Sequence, residues 1–334
     1  MMLQRLQASL SATTALRERL GGHARTITPT LRHGWLPRKA PRADFWRTQI
    51  TNEEGRSIAL SGMFADVAGA TDLVVVLHGL GGAVDRGYCV EAARAAHRVG
   101  VPCLRLAMRG ADGLGEDFHH AGLTADLGEV LAQPFFERFE RVALLGYSMG
   151  GHVCLKAAAE GVSSKICAVA AVCPPLDLGA AQRCIDAPGN LVYRRHLLAA
   201  LNEIYAGLAA RGKVPTPVER VRQATSLREW DQLTVVPRFG FRDVDDYYES
   251  QSVGGRLTQL KVPALVVASP GDPMIPAQSL RGPLVAAADQ VEARWVGGGG
   301  HVFFAPGVDL GFEAEPGVEA QVLAFLLGGG KGGA

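Results

Sequence analysis

The sequence predicts an α/β fold, with a mostly parallel eight-stranded sheet flanked by helices and one helical insertion. Short apolar runs rich in β-branched residues alternate along the chain with longer segments of helical periodicity. Residues 73–77 are apolar at every position, which is typical of a central strand covered on both faces. The chain has 334 residues, of which 48% are hydrophobic and 20% charged, so it can bury a large core.

The predicted elements follow one another in a regular order. The candidate strands are residues 45–50, 57–63, 72–77, 102–107, 141–145, 166–172, 264–269 and 291–296. The candidate helices are residues 90–99, 124–131, 150–161, 277–287 and 318–327. The alternation stops at about residue 176 and resumes at about residue 255. We therefore expect a core of residues 45–175 and 256–327, with residues 176–255 forming a helical cap over one end of the sheet.

Both ends of the chain differ from this core. Residues 1–44 form a basic arm, and residues 1–48 carry nine Lys or Arg against two acidic residues. Five leucines in residues 3–20 recur at near-helical spacing, which favours an amphipathic helix packed on the protein's own body. Peripheral membrane contact through residues 1–20 and a transit peptide are the alternatives. Residues 328–334 are mostly glycine and are expected to be disordered.

Composition argues against several classes of protein. The net charge is +1 and no basic run is interleaved with aromatic residues, so nucleic acid is not an expected partner. No apolar stretch is long enough to predict a transmembrane helix. The six cysteines show no C-x-x-C pairing and several lie in apolar segments, which indicates small buried residues in a reducing compartment. We therefore expect a cytoplasmic protein.

Two clusters invite a metal-binding interpretation. His119 and His120 are adjacent, but neighbours in sequence do not face the same way, and no ligand set at metal spacing accompanies them. Asp243, Asp245 and Asp246 imitate part of a calcium loop that lacks its glycine and terminal glutamate. These aspartates are expected to cap a helix, and neither a metal nor a cofactor is predicted.

A candidate nucleophile follows the strand at residues 141–145. That strand leads into Gly146-Tyr147-Ser148-Met149-Gly150, and a helical pattern comes next. This is the G-x-S-x-G motif in a strand–turn–helix context. The serine occupies a tight, strained turn, and the flanking glycines let strand and helix approach each other. The pattern predicts Ser148 as nucleophile, with the Met149 N–H beside the reacting carbonyl.

A glycine-rich loop, His78-Gly79-Leu80-Gly81-Gly82, follows the strand at residues 72–77. A dinucleotide-binding G-x-G-x-x-G turn would need glycine at Val84, and no phosphate-binding P-loop motif occurs in the chain. The loop instead fits one that turns the Leu80 N–H toward a tetrahedral oxyanion, beside that of Met149. His78 is interpreted as a structural loop residue.

A candidate acid and a candidate base follow the last two strands. Asp272 lies in the turn after residues 264–269, and His301 comes after four glycines that follow residues 291–296. Ligands bind beyond the carboxyl ends of parallel strands, where both residues would lie. The chain order Ser148, Asp272, His301 is the order that accompanies G-x-S-x-G turns on α/β sheets. Aspartate also begins ordinary turns, so the assignment of Asp272 as the acid depends most on that chain order.

With these residues in place, the chain resembles the YheT-like branch of the α/β hydrolases, whose animal relatives are abhydrolase-domain lipases. The resemblance runs from about residue 22 to about residue 301. It is carried by residues 22–27 (GHARTI), 78–82 (HGLGG), 108–110 (MRG), 120–127 (HAGLTADL), 226–231 (SLREWD) and 240–248 (GFRDVDDYY). It implies the α/β-hydrolase fold with a helical cap, and a carboxylester hydrolase acting on small-molecule or lipid-like acyl esters.

The leading prediction is a serine carboxylesterase that cleaves short- to medium-chain acyl esters through an acyl-enzyme on Ser148. One alternative uses the same triad to transfer the acyl group to an alcohol or to release it from phospholipid. A second alternative is a non-catalytic binding module on the same fold. Arg109 could steer an acidic substrate, although a salt bridge with Asp126 is the favoured interpretation.

Overall fold

The computed structural model describes residues 21–26, 28, 38–212 and 214–328. Its centre is an eight-stranded sheet in the order β1-β2-β4-β3-β5-β6-β7-β8. The strands are β1 (Asp44–Thr51), β2 (Ser57–Ala65), β3 (Asp72–Leu77), β4 (Cys103–Leu106), β5 (Arg141–Tyr147), β6 (Ile166–Val172), β7 (Ala264–Ala268) and β8 (Val291–Trp295). The β1–β2 and β2–β4 pairs are antiparallel, and every pair from β4 to β8 is parallel. The mostly parallel eight-stranded sheet is thus confirmed.

Helices flank the sheet on both faces. The five helices predicted for the core are α1 (Gly87–Arg98), α2 (Ala125–Leu131), α3 (Met149–Glu160), α10 (Ala277–Ala286) and α11 (Val318–Gly328). On β3, Val74 and Val76 pack in the apolar cluster with α1 and α11, whereas Leu73, Val75 and Leu77 pack in the cluster with α2 and α3. This alternation explains why β3 is apolar at every position: both of its faces are covered.

Between β6 and β7, residues 176–212 and 214–255 contain helices and no strand. The helices are α4 (Leu178–Asp186), α5 (Leu191–Arg211), α6 (Val218–Val221), α7 (Leu227–Leu233), α8 (Val235–Phe239) and α9 (Val244–Gln251). Ser226 and Asp243 each accept a hydrogen bond from a backbone N–H and so cap α7 and α9. The capping role predicted for the aspartate cluster is confirmed at Asp243.

Two elements extend one residue beyond their predicted bounds. β1 begins at Asp44, which pairs with Phe64, one residue before the predicted strand. α11 ends at Gly328, one residue after the predicted helix. The helix predicted in residues 1–20 and the rest of the tail lie outside the described residues. Within the described ranges, no helix is long and apolar enough to cross a membrane.

A buried ion-pair network joins the sheet to the insertion. The Arg109 side chain is 1% exposed and donates to Asp126 at 3.0 and 2.5 Å, to Asp117 at 2.8 Å and to Glu53 at 2.9 Å. Arg238 at the end of α8 donates to the same Asp117 and Glu53. The salt bridge predicted between Arg109 and Asp126 is confirmed. The network as a whole connects α2 to the β1–β2 turn and to the insertion.

The network predicts a large effect of Arg109→Met on stability. The substitution removes the cation and leaves Asp126 enclosed without its ion partner, so the free energy of unfolding should fall by about 3 kcal/mol. Urea denaturation followed by circular dichroism measures this change. Arg141→Met is the matched control, since the exposed Arg141–Asp72 pair at 3.6 Å should contribute under about 1 kcal/mol. Equal losses in the two variants would contradict the prediction.

Candidate active site

Ser148 lies at a sharp turn between β5 and α3. Its backbone has φ 52° and ψ −122°, a conformation that costs free energy for a residue with a side chain. The Ser148 N–H donates to the Val172 carbonyl of β6 at 2.8 Å, which holds the turn in place. A Cβ on Gly146 would lie 2.2 Å from the Gly150 oxygen, and one on Gly150 would lie 2.4 Å from the His78 oxygen. Glycine on both sides is therefore a steric requirement of the turn.

The structure brings Ser148, Asp272 and His301 together. His301 Nε2 lies 2.9 Å from Ser148 Oγ, and His301 Nδ1 lies 2.8 Å from Asp272 Oδ2. The other oxygen, Asp272 Oδ1, accepts the N–H groups of Met274 at 2.8 Å and Ile275 at 3.0 Å. Because a carboxylate accepts at Nδ1, that nitrogen carries the proton and Nε2 is left to accept the serine hydroxyl proton. This is the geometry that a general base and its orienting acid require.

The glycine-rich loop after β3 lies directly against the serine. A Cβ on Gly79 would be 3.2 Å from the Ser148 Cβ. His78 Nε2 accepts the Met108 N–H at 3.2 Å, so its Nδ1 carries a proton and donates to the Gly79 carbonyl at 2.8 Å. Burial lowers the pKa of His78 to about 4, so the ring stays neutral and serves to fix the loop.

The backbone N–H groups of Leu80 and Met149 are the predicted oxyanion donors. Leu80 and Met149 line the same cavity as Ser148 and His301. Across the described part of the chain, neither of their N–H groups donates a hydrogen bond to the protein. Preorganised donors of this kind are what a developing oxyanion needs.

A segment before the sheet, residues 21–26, packs on the loops that carry the acid and the base. The His301 N–H donates to Thr26 Oγ1 at 2.8 Å, and this hydroxyl donates to the Gly22 carbonyl at 2.8 Å. A Cβ on Gly22 would lie 1.7 Å from the Gly271 oxygen, next to Asp272. Sequence reasoning assigns no role to these residues, although they belong to the GHARTI motif that carries the family resemblance.

The same segment reaches the helical insertion. His23 Nδ1 lies 2.9 Å from the Tyr193 hydroxyl, and the two rings stack with centroids 5.5 Å apart. Tyr193 belongs to α5 and lines the cavity above Ser148 together with Thr26. Residues 21–26 therefore form one wall of the site and connect the histidine loop to the insertion.

Above Ser148 lies a cavity of about 450 Å³ between the sheet and the insertion. Most of its lining is apolar; six of these residues are Met149, Leu178, Ile185, Leu197, Met274 and Ile275. A few polar side chains interrupt this lining, among them Gln182, Asp231 and Tyr248. A cavity of this size and polarity suits a small, mainly apolar ligand that is oriented by few polar groups.

One group of described residues has potential metal ligands in proximity: Cys173, Asp272 and His301, whose ligand atoms lie within 4.8 Å of one another. Both imidazole nitrogens of His301 already take part in the contacts with Asp272 and Ser148. Burial raises the pKa of Cys173 well above its usual range, so its thiol stays neutral and contacts the Gly300 carbonyl. The two imidazole contacts suit proton transfer to and from Ser148.

The adjacent His119 and His120 lie away from the serine, in a packed interior. His119 Nδ1 is 3.0 Å from the Arg109 carbonyl. His120 accepts the Gly122 N–H at 3.1 Å and packs on the rings of Phe239 and Phe241. The two histidines contribute to packing and to the hydrogen bonding of this loop.

Comparisons with known proteins point to one family. Residues 74–309 match the Alpha/beta hydrolase family. The chain is 30% identical over 250 residues to the putative esterase YheT of Escherichia coli, covering 71% of this chain and 72% of that protein. It is 24% identical over 284 residues to phospholipase ABHD3 of Mus musculus, covering 80% and 68% respectively.

A solved structure extends the likeness to the fold as a whole. The esterase Pf2001 of Pyrococcus furiosus superposes with a TM-score of 0.52 and 17% sequence identity, over 80% of this chain and 90% of that one. At this identity the match concerns the fold alone, and it agrees with the eight-stranded sheet. The family match and the YheT relative show that the chain belongs to the α/β-hydrolase family, in its YheT-like branch.

Proposed function

We propose that this protein is a serine carboxylester hydrolase that cleaves short- to medium-chain acyl esters through an acyl-enzyme on Ser148. The observation that carries the proposal is the hydrogen-bonded series Ser148–His301–Asp272 at the base of an apolar cavity. The names of the Escherichia coli and mouse relatives, an esterase and a phospholipase, support ester cleavage. The six cysteines, four of them buried and none in a disulfide, support a cytoplasmic location.

Acylation follows from the tautomer of His301. Nε2 takes the hydroxyl proton as Ser148 Oγ attacks the acyl carbon, and Asp272 stabilises the imidazolium that forms. The negative charge on the former carbonyl oxygen is stabilised by the N–H groups of Leu80 and Met149. His301 then returns the proton to the departing alcohol oxygen, which leaves the acyl group bonded to Ser148.

Deacylation repeats the same steps with water. His301 Nε2 removes a proton from the attacking water, and the tetrahedral intermediate again places its oxyanion at Leu80 and Met149. When the intermediate collapses, the acid is released and the proton returns to Ser148 Oγ. No group other than those of the chain and water is needed to balance the reaction.

The first test is at the nucleophile. Ser148→Ala removes the attacking oxygen, so hydrolysis of p-nitrophenyl esters should fall by about 10⁴-fold or more in kcat. A fluorophosphonate probe should label the wild-type protein and fail to label this variant. Ser163→Ala, in the loop between α3 and β6, is the control and should keep wild-type labelling and rate. If the folded wild-type protein is not labelled by the probe, the proposed enzymatic activity is ruled out. A non-catalytic binding module on the same fold is then favoured.

The second test is at the acid. Asp272→Asn offers its amide group to His301 and so disfavours the productive tautomer, which should lower kcat by about 10⁴-fold. The Asn side-chain oxygen can still accept the Met274 and Ile275 N–H groups, so thermal unfolding should shift little. Asp289→Asn, at an exposed site, serves as the matched control. Unchanged kcat in Asp272→Asn would remove this residue from the triad.

The third test concerns Thr26 as a positioning residue. Thr26→Val keeps the side-chain shape but removes the acceptor of the His301 N–H, so the imidazole loses its fixed position. Kcat should fall by about 10- to 100-fold, with a much smaller change in KM, since misplacement of a reacting group chiefly affects the chemical step. Thr26→Ser keeps the hydroxyl and should restore most of kcat. A Ser variant as slow as the Val variant would assign Thr26 to packing alone.

A further inference from the structure

One acidic side chain interrupts the apolar lining of the cavity. Asp231 on α7 lines the same cavity as Ser148, as does Tyr248 on α9. The Tyr248 hydroxyl donates to Asp231 Oδ2 at 2.6 Å. Among the residues that the structure describes, no other group donates to this carboxyl, and its second oxygen, Oδ1, is not sealed inside the protein. Oδ1 is therefore open to a further hydrogen bond, on a side chain that lines the cavity.

The location of this carboxyl is energetically unfavourable without a ligand. Burial raises the pKa of Asp231 to about 7; the Tyr248 hydrogen bond acts in the opposite direction, and the nearby Asp186 raises it further. Within the described ranges, Asp231 forms no salt bridge with Lys or Arg. A carboxyl in an apolar wall costs free energy that an apolar residue would not. A strongly perturbed carboxyl in a cleft is typical of functional sites.

The surrounding helices hold this pair in a fixed position. The Asp186 carboxyl, at the end of α4, accepts the N–H groups of Leu227 at 2.9 Å and Arg228 at 3.2 Å. The Arg228 guanidinium forms two bonds with Asp245 on α9, at 2.6 and 2.7 Å. These contacts join the SLREWD and GFRDVDDYY motifs, and they orient Asp231 and Tyr248 before any ligand arrives.

We propose that Asp231 and Tyr248 form a polar subsite that recognises a hydroxyl group on the substrate, away from the reacting carbonyl. This inference rests on the proposed function, because the subsite belongs to the cavity of Ser148. The substrate class is a hydroxylated ester whose hydroxyl donates to Asp231 Oδ1. A hydroxyl fits better than an ammonium group, because it can donate to the carboxylate and also accept from the protonated acid. With its pKa about 7, Asp231 populates both forms near neutral pH.

The hydroxyl could belong to the acyl half or to the alcohol half of the ester. Two sets of substrates separate these sources. The first contains p-nitrophenyl esters of ω-hydroxyalkanoic acids of increasing chain length, each paired with the ester that lacks the hydroxyl. The second contains hydroxyalkyl acetates, each paired with the plain alkyl acetate. In one set, the hydroxylated member of the best-fitting length should have about 10-fold higher kcat/KM than its partner, as expected for a hydrogen bond to a charged group.

Asp231→Leu is the central variant. It places methyl groups where the two carboxylate oxygens lie, so this side chain can neither accept from nor donate to the substrate hydroxyl. The ratio of kcat/KM between each hydroxylated ester and its plain partner should fall from roughly 10 to about 1. Asp245→Leu is the matched control, since it removes a different contact between α7 and α9, the one with Arg228, at a residue that does not line the cavity. It should retain the preference.

A binding measurement separates this inference from the proposed hydrolysis. In the Ser148→Ala background, ω-hydroxyalkyl methyl ketones and plain alkyl methyl ketones can be compared through the thermal shift that each produces. Tighter binding of the hydroxylated ketones that is lost in Ser148→Ala/Asp231→Leu supports the subsite even in a protein without esterase activity. Equal binding of both ketones, or an equal loss on both ester types in Asp231→Leu, overturns the inference while leaving the proposed hydrolysis intact.

Discussion

The close approach of α3 to the ends of β3 and β5 is the constraint on which the site depends. Gly146 and Gly150 let the backbones of α3, β5 and the loop after β3 lie closer together than a Cβ would allow. Ser148, between these glycines, has a positive φ at this close approach. The cost of that conformation is offset by the sheet, through the hydrogen bond from the Ser148 N–H to β6 and through parallel pairing that continues to Tyr147. The strained turn places the Ser148 hydroxyl and the Met149 N–H at the same open edge of the sheet.

The rest of the site is built from loops that lack regular hydrogen bonding, and each is fixed by a specific partner. Asp272 is held by two backbone N–H groups, His78 holds its own loop, and Thr26 holds the histidine loop. None of these partners carries out the chemistry in the proposed mechanism. They reduce the freedom of groups that would otherwise have to be ordered during the reaction.

Much of this arrangement could be predicted from the sequence, because its determinants are local. The G-x-S-x-G turn, the apolar run of β3 and the glycines before His301 each encode their backbone in a few adjacent residues. β5 extends two residues beyond the predicted end, because Gly146 and Tyr147 still pair with β6, and only the partner strand reveals this. The role of Thr26 could not be predicted, since its contact with His301 spans 275 residues. The pairing of Asp231 with Tyr248 was likewise hidden, because it depends on how α7 crosses α9.

The wall formed by residues 21–26 has a practical consequence for how this protein is produced. A shortened chain beginning at β1 would keep every strand of the sheet and all three members of the Ser148–Asp272–His301 series. It would nevertheless lose the Thr26 hydroxyl under the histidine loop and the His23 ring stacked on Tyr193. A start site chosen from the strands alone therefore removes contacts to the histidine loop and to the cavity-lining Tyr193, even though the sheet itself stays complete.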